Sequence, residues 1–295
     1  MKDQLKFITA MLIFGTIGVF VKNINLPSLD IAFLRAVIGC VFLICAGFIM
    51  GQTFSPTIIK KNIRILLLSG AAIGFNWILL FQAYKYTTIA NATLSYYFAP
   101  MFVMILSPLI LKERLTMIKI VCIIAAIVGL FMILNGDSTA PLSNTHLVGI
   151  GYGLAAAALY ASVILMNKFI KGLSGFETTL IQLFMAGLVL LPSLLYNQGI
   201  PLASLNGQVV LLILVVGIIH TGLAYLIYFS SMKEIKGQTI AILSYIDPVT
   251  AVFLSAVLLG EAMTYSQIIG GILILGSTFL SETGEGLIQK ITKSA

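Results

Sequence analysis

Charge is what this chain has least of. Asp, Glu, Lys and Arg make up 9% of its 295 residues and hydrophobic residues 59%, whereas soluble domains carry about 25% charged residues. A soluble fold needs a largely polar surface, and this chain has too few polar side chains to cover one. The bilayer is therefore its solvent, and no polar stretch is long enough to fold as a separate soluble domain. Clustered bases are also missing. The formal net charge is +7, but lysines and arginines stand as singles and pairs between apolar runs, which argues against nucleic acid as a partner. Retention of Lys and Arg on the cytoplasmic side of a membrane explains them better.

Signatures of catalysis and metal binding are lacking too. Cys40, Cys45 and Cys122 fall inside apolar runs, with no CxxC or Cys/His spacing. There is no HExxH, GxSxG or P-loop and no pair of acids at metal spacing. An enzyme or a nucleotide-driven pump is therefore not expected, and neither is a metal or other cofactor. The first apolar run holds Gly15, Thr16 and Gly18 and is followed by no small-residue cleavage site, so it reads as a first span.

What is present is apolar runs of about 20 residues, the length a helix needs to cross a bilayer. Ten are expected: Leu5–Val21, Leu29–Met50, Ile65–Tyr84, Asn91–Leu111, Thr116–Leu134, Leu147–Met166, Glu177–Tyr196, Gln208–Phe229, Gln238–Leu259 and Thr264–Ser281. With both termini in the cytoplasm, the inside holds Lys2, Lys6, Lys60, Lys61, Arg64, Lys112, Arg114, Lys119, Lys168, Lys171, Lys233, Lys236, Lys290 and Lys293. The outside then holds only Lys22 and Lys85. That bias supports both the orientation and the span count.

The chain also repeats itself. Tyr97–Thr116 returns 148 residues later as Tyr245–Thr264, with Tyr97/Tyr245, Pro100/Pro248, Leu106/Leu254, Ser107/Ser255, Leu111/Leu259, Glu113/Glu261 and Thr116/Thr264 identical. The expected fold is an all-α integral membrane protein of ten transmembrane helices in two five-helix repeats, residues 1–137 and 138–295. Five spans per repeat is an odd number, so the second repeat enters the membrane inverted. Glu113 lies between Lys112 and Arg114, whereas Glu261 lies between Gly260 and Ala262. The bases are absent on the side where positive charge is disfavoured.

Ten spans, inverted halves and a doubled Pro…Glu block resemble the drug/metabolite transporter superfamily, in particular its EamA-type branch of ten-span exporters. The likeness rests on Tyr97-Phe98-Ala99-Pro100 with Leu111-Lys112-Glu113-Arg114, and on Tyr245-Ile246-Asp247-Pro248 with Leu259-Gly260-Glu261. Arg35 in Phe33-Leu34-Arg35 is similar to that family's span-2 arginine. The resemblance implies a secondary carrier that works by alternating access and exports amino acids or similar small metabolites across the cytoplasmic membrane. It also implies a cavity lined by spans 1, 3, 4, 6, 8 and 9, with spans 5 and 10 peripheral. Where the family often has Trp-Gly in span 1, this chain has Phe14-Gly15. A membrane-embedded enzyme or a channel-like facilitator is the alternative, and monomer and homodimer are both open.

Polar residues present in one half only are the candidates for substrate or ion contact. Asp247 stands opposite Ala99, His220 opposite Ala72, and Asn76 opposite Ala224. Asp247 lies roughly 13 Å into span 9, where a carboxylate is expected to face a polar cavity as a proton or cation site or an anchor for an amine. Pro248 behind it frees a backbone carbonyl. His220 lies at the same depth in span 8 and is a candidate partner for Asp247. Trp77 is either cavity wall or packing, and Tyr97 and Tyr245 add aromatic hydroxyls. Arg35 either binds a substrate carboxylate or ties helices together, and the resemblance favours the second role. Glu113 and Glu261, at helix ends, read as conformational latches or helix-end partners rather than substrate ligands, and Pro100 as a shared structural residue.

Overall fold

The computed structural model describes residues 2–112, 115–134, 144–196, 200, 205–232, 235 and 243–294. Among them the fold is all-helical. Helices α1 (Lys2–Lys22), α2 (Ser28–Ile49) and α3 (Pro56–Tyr86) are followed by two short ones, α4 (Ile89–Tyr96) and α5 (Ala99–Ile110). Next come α6 (Met117–Leu134), α7 (Asn144–Asn167), α8 (Gly175–Tyr196) and α9 (Gly207–Leu214). A π-helical segment (Val215–Leu223) leads into α10 (Ala224–Met232), and α11 (Ile246–Leu259) and α12 (Tyr265–Ser294) complete the chain. Taking α4–α5 and α9–α10 as continuous runs, seven helices among the described residues are long and apolar enough to cross a membrane, and three shorter apolar ones lie at Met117–Ile133, Ile246–Leu259 and Tyr265–Ser281.

Local chemistry sets several starts. Pro56 occupies the first turn of α3, where its missing N–H is no loss. The Thr88 hydroxyl accepts from Asn91 N at 3.1 Å and caps α4. Ser174 and Glu177 form a reciprocal capping box on α8: Glu177 N donates to Ser174 Oγ at 3.1 Å and Ser174 N to Glu177 Oε2 at 3.0 Å. The remaining Glu177 oxygen accepts from Ser55 N at 3.1 Å, so this acid holds two helix starts together.

The duplicated block has matching geometry in both halves. The first copy breaks between α4 and α5, with Tyr97 at φ −70° and ψ 4°. The second breaks at Tyr245, with φ −72° and ψ −10°. Pro100 and Pro248 follow directly, and a proline removes one helical donor and crowds the carbonyl four residues back. The far ends match as well. Lys112 at φ 57° and Gly260 at φ 64° both take the left-handed conformation that stops α5 and α11. Glu113 lies outside the described residues, as do the 137/138 boundary between the halves and the first five residues of the expected ninth span.

Small residues bring the helices together, as expected in lipid, where no hydrophobic force does so. Gly129 of α6 and Gly270 of α12 face each other so closely that a Cβ on either would come within 2.6 Å of the other's carbonyl oxygen. Gly70 and Gly74 seat α3 on α8, and Gly149 and Gly153 seat α7 on residues 87–95. The outward surface is apolar: Phe48, Leu109 and Met117 are each more than three-quarters exposed, as suits a face bathed in lipid.

Candidate functional site

The two broken helices meet at a cavity of about 340 Å³, within the range of small-molecule sites. Tyr97, at the break between α4 and α5, donates its hydroxyl to Asp247 Oδ2 at 2.8 Å. Asp247 sits in the first turn of α11, where the helix dipole favours negative charge. The wall opposite is α1. Gly15 lies so near that a Cβ there would come within 2.6 Å of the Asp247 carbonyl oxygen and of Thr250 Cβ.

Aromatic rings line most of the rest. Phe14, where the resembling family often has Trp, packs on Tyr225 with centroids 5.3 Å apart. Tyr96 packs on Tyr160 at 5.5 Å. Trp77 is 5% exposed and belongs to the cavity wall rather than to a lipid-facing surface. Tyr84 is buried on the same cavity. Asn76 also lines it, with its amide Nδ2 donating to the Ala156 carbonyl at 2.6 Å, so it ties α3 to α7 as well.

Arg35 reaches the cavity from α2. Its guanidinium carbon lies 4.0 Å above the Trp77 ring and 5.7 Å from the Phe81 ring. Its Nε donates to Thr221 Oγ1 at 2.7 Å. Thr221 in turn donates to the carbonyl of Val216, five residues back, at 3.0 Å. That spacing belongs to the π-helical segment, a distortion often found at functional sites.

Other candidates go elsewhere. His220 does not pair with Asp247. Its Nε2 lies 2.7 Å from Thr16 Oγ1 and its Nδ1 3.3 Å from the Val215 carbonyl, with the Phe20 ring beside it. Equal depth fixed its height but not the side of the helix it occupies. Tyr245 turns its ring to Phe279 of α12, centroids 5.7 Å apart. Pro248 is buried in the first turn of α11 and Pro100 borders the cavity. Glu261 pairs with Lys22 of α1. Its other oxygen accepts from Ile89 N at 2.8 Å and from Ser255 Oγ at 2.5 Å, joining α1, α4 and α11. Among the described residues, no three His, Cys, Asp or Glu side chains are grouped to hold a metal ion.

Tyr160, Tyr225 and Thr221 were not singled out from sequence. Tyr225 and Tyr228 carry a weak signal, since residues three apart share a helix face. Thr221 carries none, because a lone threonine in an apolar run looks like packing.

A family model described as the EamA-like transporter family matches residues 3–135 and again residues 147–283. The chain is similar to an uncharacterized transporter, YxxF, of Bacillus subtilis (strain 168), with 29% identity over 94% of this chain and 88% of that one. It is similar to an uncharacterized transporter of Archaeoglobus fulgidus at 28% identity over 93% of this chain and 94% of that one. An uncharacterized inner membrane transporter, YicL, of Salmonella typhimurium (strain LT2) shares 23% identity over 95% and 94% of the two chains. A solved crystal structure superposes with a TM-score of 0.66 at 20% identity, covering 95% of each chain, and shares the fold.

Proposed function

We propose that this chain, which belongs to the EamA-like transporter family, is a secondary carrier that moves amino acids or similar small metabolites by alternating access, coupled to protons through Asp247. Membership already makes it a multi-pass membrane transporter of the drug/metabolite kind, and the names of its relatives point to transport rather than to catalysis. The observation that carries the proposal is the Tyr97–Asp247 bond, made where two discontinuous helices meet on an aromatic cavity. Discontinuous helices at an inner site are how carriers present backbone and side-chain ligands to cargo without exposing them to lipid.

Matched features support two related halves. The family model matches twice, helices break at Tyr97 and Tyr245, and left-handed residues end α5 and α11 148 positions apart. In this reading the seven long and three shorter apolar helices are ten spans, with the repeats inverted and both termini cytoplasmic. The Lys22–Glu261 cluster then closes the outer end, and export is the direction of transport. Monomer and homodimer both remain compatible with this reading.

The test is a substrate screen in reconstituted vesicles, with and without an imposed pH gradient. The proposal expects accumulation of at least one amino acid or related metabolite that the gradient accelerates. Absence of flux for every solute, with correctly inserted protein, overturns it.

A further inference from the structure

We propose that Arg35 is the anion-reading group of the cavity, so that the cargo carries a carboxylate or an equivalent planar oxyanion. This rests on the carrier reading and narrows its substrate class.

Arg35 is 5% exposed and lines the cavity. Its Nε–H is spent on Thr221, while its four terminal N–H groups find no acceptor among the described residues. No carboxylate comes within ion-pair distance of it there, Asp247 included. A buried guanidinium is costly to leave without a counter-charge, and its forked donors match a carboxylate in two parallel bonds. Stacking on Trp77 and the bond to Thr221 hold the fork in one orientation before any ligand arrives.

Helix tying does not explain the charge. Gln182 stands 147 positions after Arg35 and makes the comparable bond in the other half. Its Nε2 donates to Ser69 Oγ at 2.8 Å and joins α8 to α3, as Arg35 joins α2 to the π-helical segment. A neutral amide suffices there, and Gln182 is not among the cavity-lining residues. The surplus at Arg35 is a positive charge on a cavity that also holds Asp247. The two opposite charges share one cavity without neutralising each other, as suits a solute with an anionic and a cationic end.

Trp77 is the single tryptophan of the chain and lies against Arg35, so its emission reports occupancy without a label. Purified full-length protein is titrated with three matched sets: L-amino acids, their carboxamides, and the same acids lacking the amine. The proposal expects Trp77 emission and melting temperature to respond to carboxylates, with amides about tenfold or more weaker. Arg35→Gln abolishes the acid-over-amide preference. Thr221→Val keeps the guanidinium but releases Nε, and reduces the preference. The wild-type titration stands alone whether or not Arg35→Gln folds: no response to any carboxylate, or equal response to acids and amides, overturns the assignment. Vesicle flux of a solute without an anionic group, equal in wild type and Arg35→Gln, also overturns it while the carrier reading survives. Carboxylate-selective binding without flux does the reverse.

Discussion

Tyr97 and Asp247 lie 150 residues apart in sequence, and the hydroxyl of one donates to the carboxylate of the other at 2.8 Å. Tyr97 sits at the break between α4 and α5 and Asp247 two residues past the break at Tyr245, so this bond joins the two copies of the duplicated block where both backbones are irregular. It faces a cavity, which makes the carboxylate available to a solute or a proton as well as to Tyr97.

Asp247→Asn preserves size and the ability to accept from Tyr97, so the protein is expected to insert and melt as the parent does. Removing the charge should lower flux at least about tenfold, because a charge-assisted contact contributes about 1.5–3 kcal/mol, and should leave the remainder insensitive to a pH gradient. Vesicle flux against gradient checks this, and parental flux with parental gradient dependence sinks the coupling role. Tyr97→Phe removes one donor and should lower flux less than Asp247→Asn.

Gly15 is where α1 touches the break. Gly15→Ala puts a methyl 2.6 Å from the Asp247 carbonyl oxygen, a backbone atom that cannot swing away. Both flux and melting temperature should fall. Gly151 of α7 has nothing within 4 Å of an added Cβ, so Gly151→Ala should be neutral or stabilise by about 0.5–1 kcal/mol through helix propensity. Melting curves of the two variants, run side by side, separate close packing from propensity.

How much of this was legible in sequence depends on what hydropathy measures. It reports the bilayer, and so it found α1 and α8 to within a few residues. It missed the start of α3 at Pro56, because Lys60, Lys61 and Arg64 belong to a helix that extends beyond the apolar belt. Duplication pointed to Asp247 and to the prolines but not to the breaks at Tyr97 and Tyr245, since a proline in the first turn of a helix and one inside it look alike in a row of letters. Pro108 and Pro192 lie within helices that continue past them. The π-helical segment left no sequence trace. It sets the direction of His220 and Thr221, which is why a His220–Asp247 pair looked reasonable from depth and Arg35–Thr221 could not be foreseen.

Glu261 and Lys22 test the latch. The Lys22 side chain is 34% exposed, so losing the pair through Lys22→Met should cost about 1 kcal/mol or less. Glu261→Ala also strips acceptors from Ile89 N and Ser255 Oγ, and should cost about 2–4 kcal/mol. It should also raise labelling of a cavity-lining Ile17→Cys by an impermeant thiol reagent applied on the side Lys22 faces. Equal melting and equal labelling of both variants would show that the cluster is ornamental to gating.

Pro100 and Pro248 decide whether the breaks serve transport or merely tolerate a proline. Each removes a backbone donor and crowds the carbonyl four residues earlier, at Tyr96 and Ser244. Alanine at either position lets the helix run on through the tyrosine, which rotates the following turn and draws Tyr97 away from Asp247. Pro248 sits in the first turn of α11, where a proline costs little, so Pro248→Ala should melt near the parent temperature while losing most of its flux. Pro100→Ala should act in the same direction through the other half. Pro192→Ala, in the continuous α8, should leave flux near the parent value. A Pro248→Ala protein that transports as the parent does would mean that the discontinuity is not needed for the cycle, and the carboxylate alone would then have to account for Asp247's place in it.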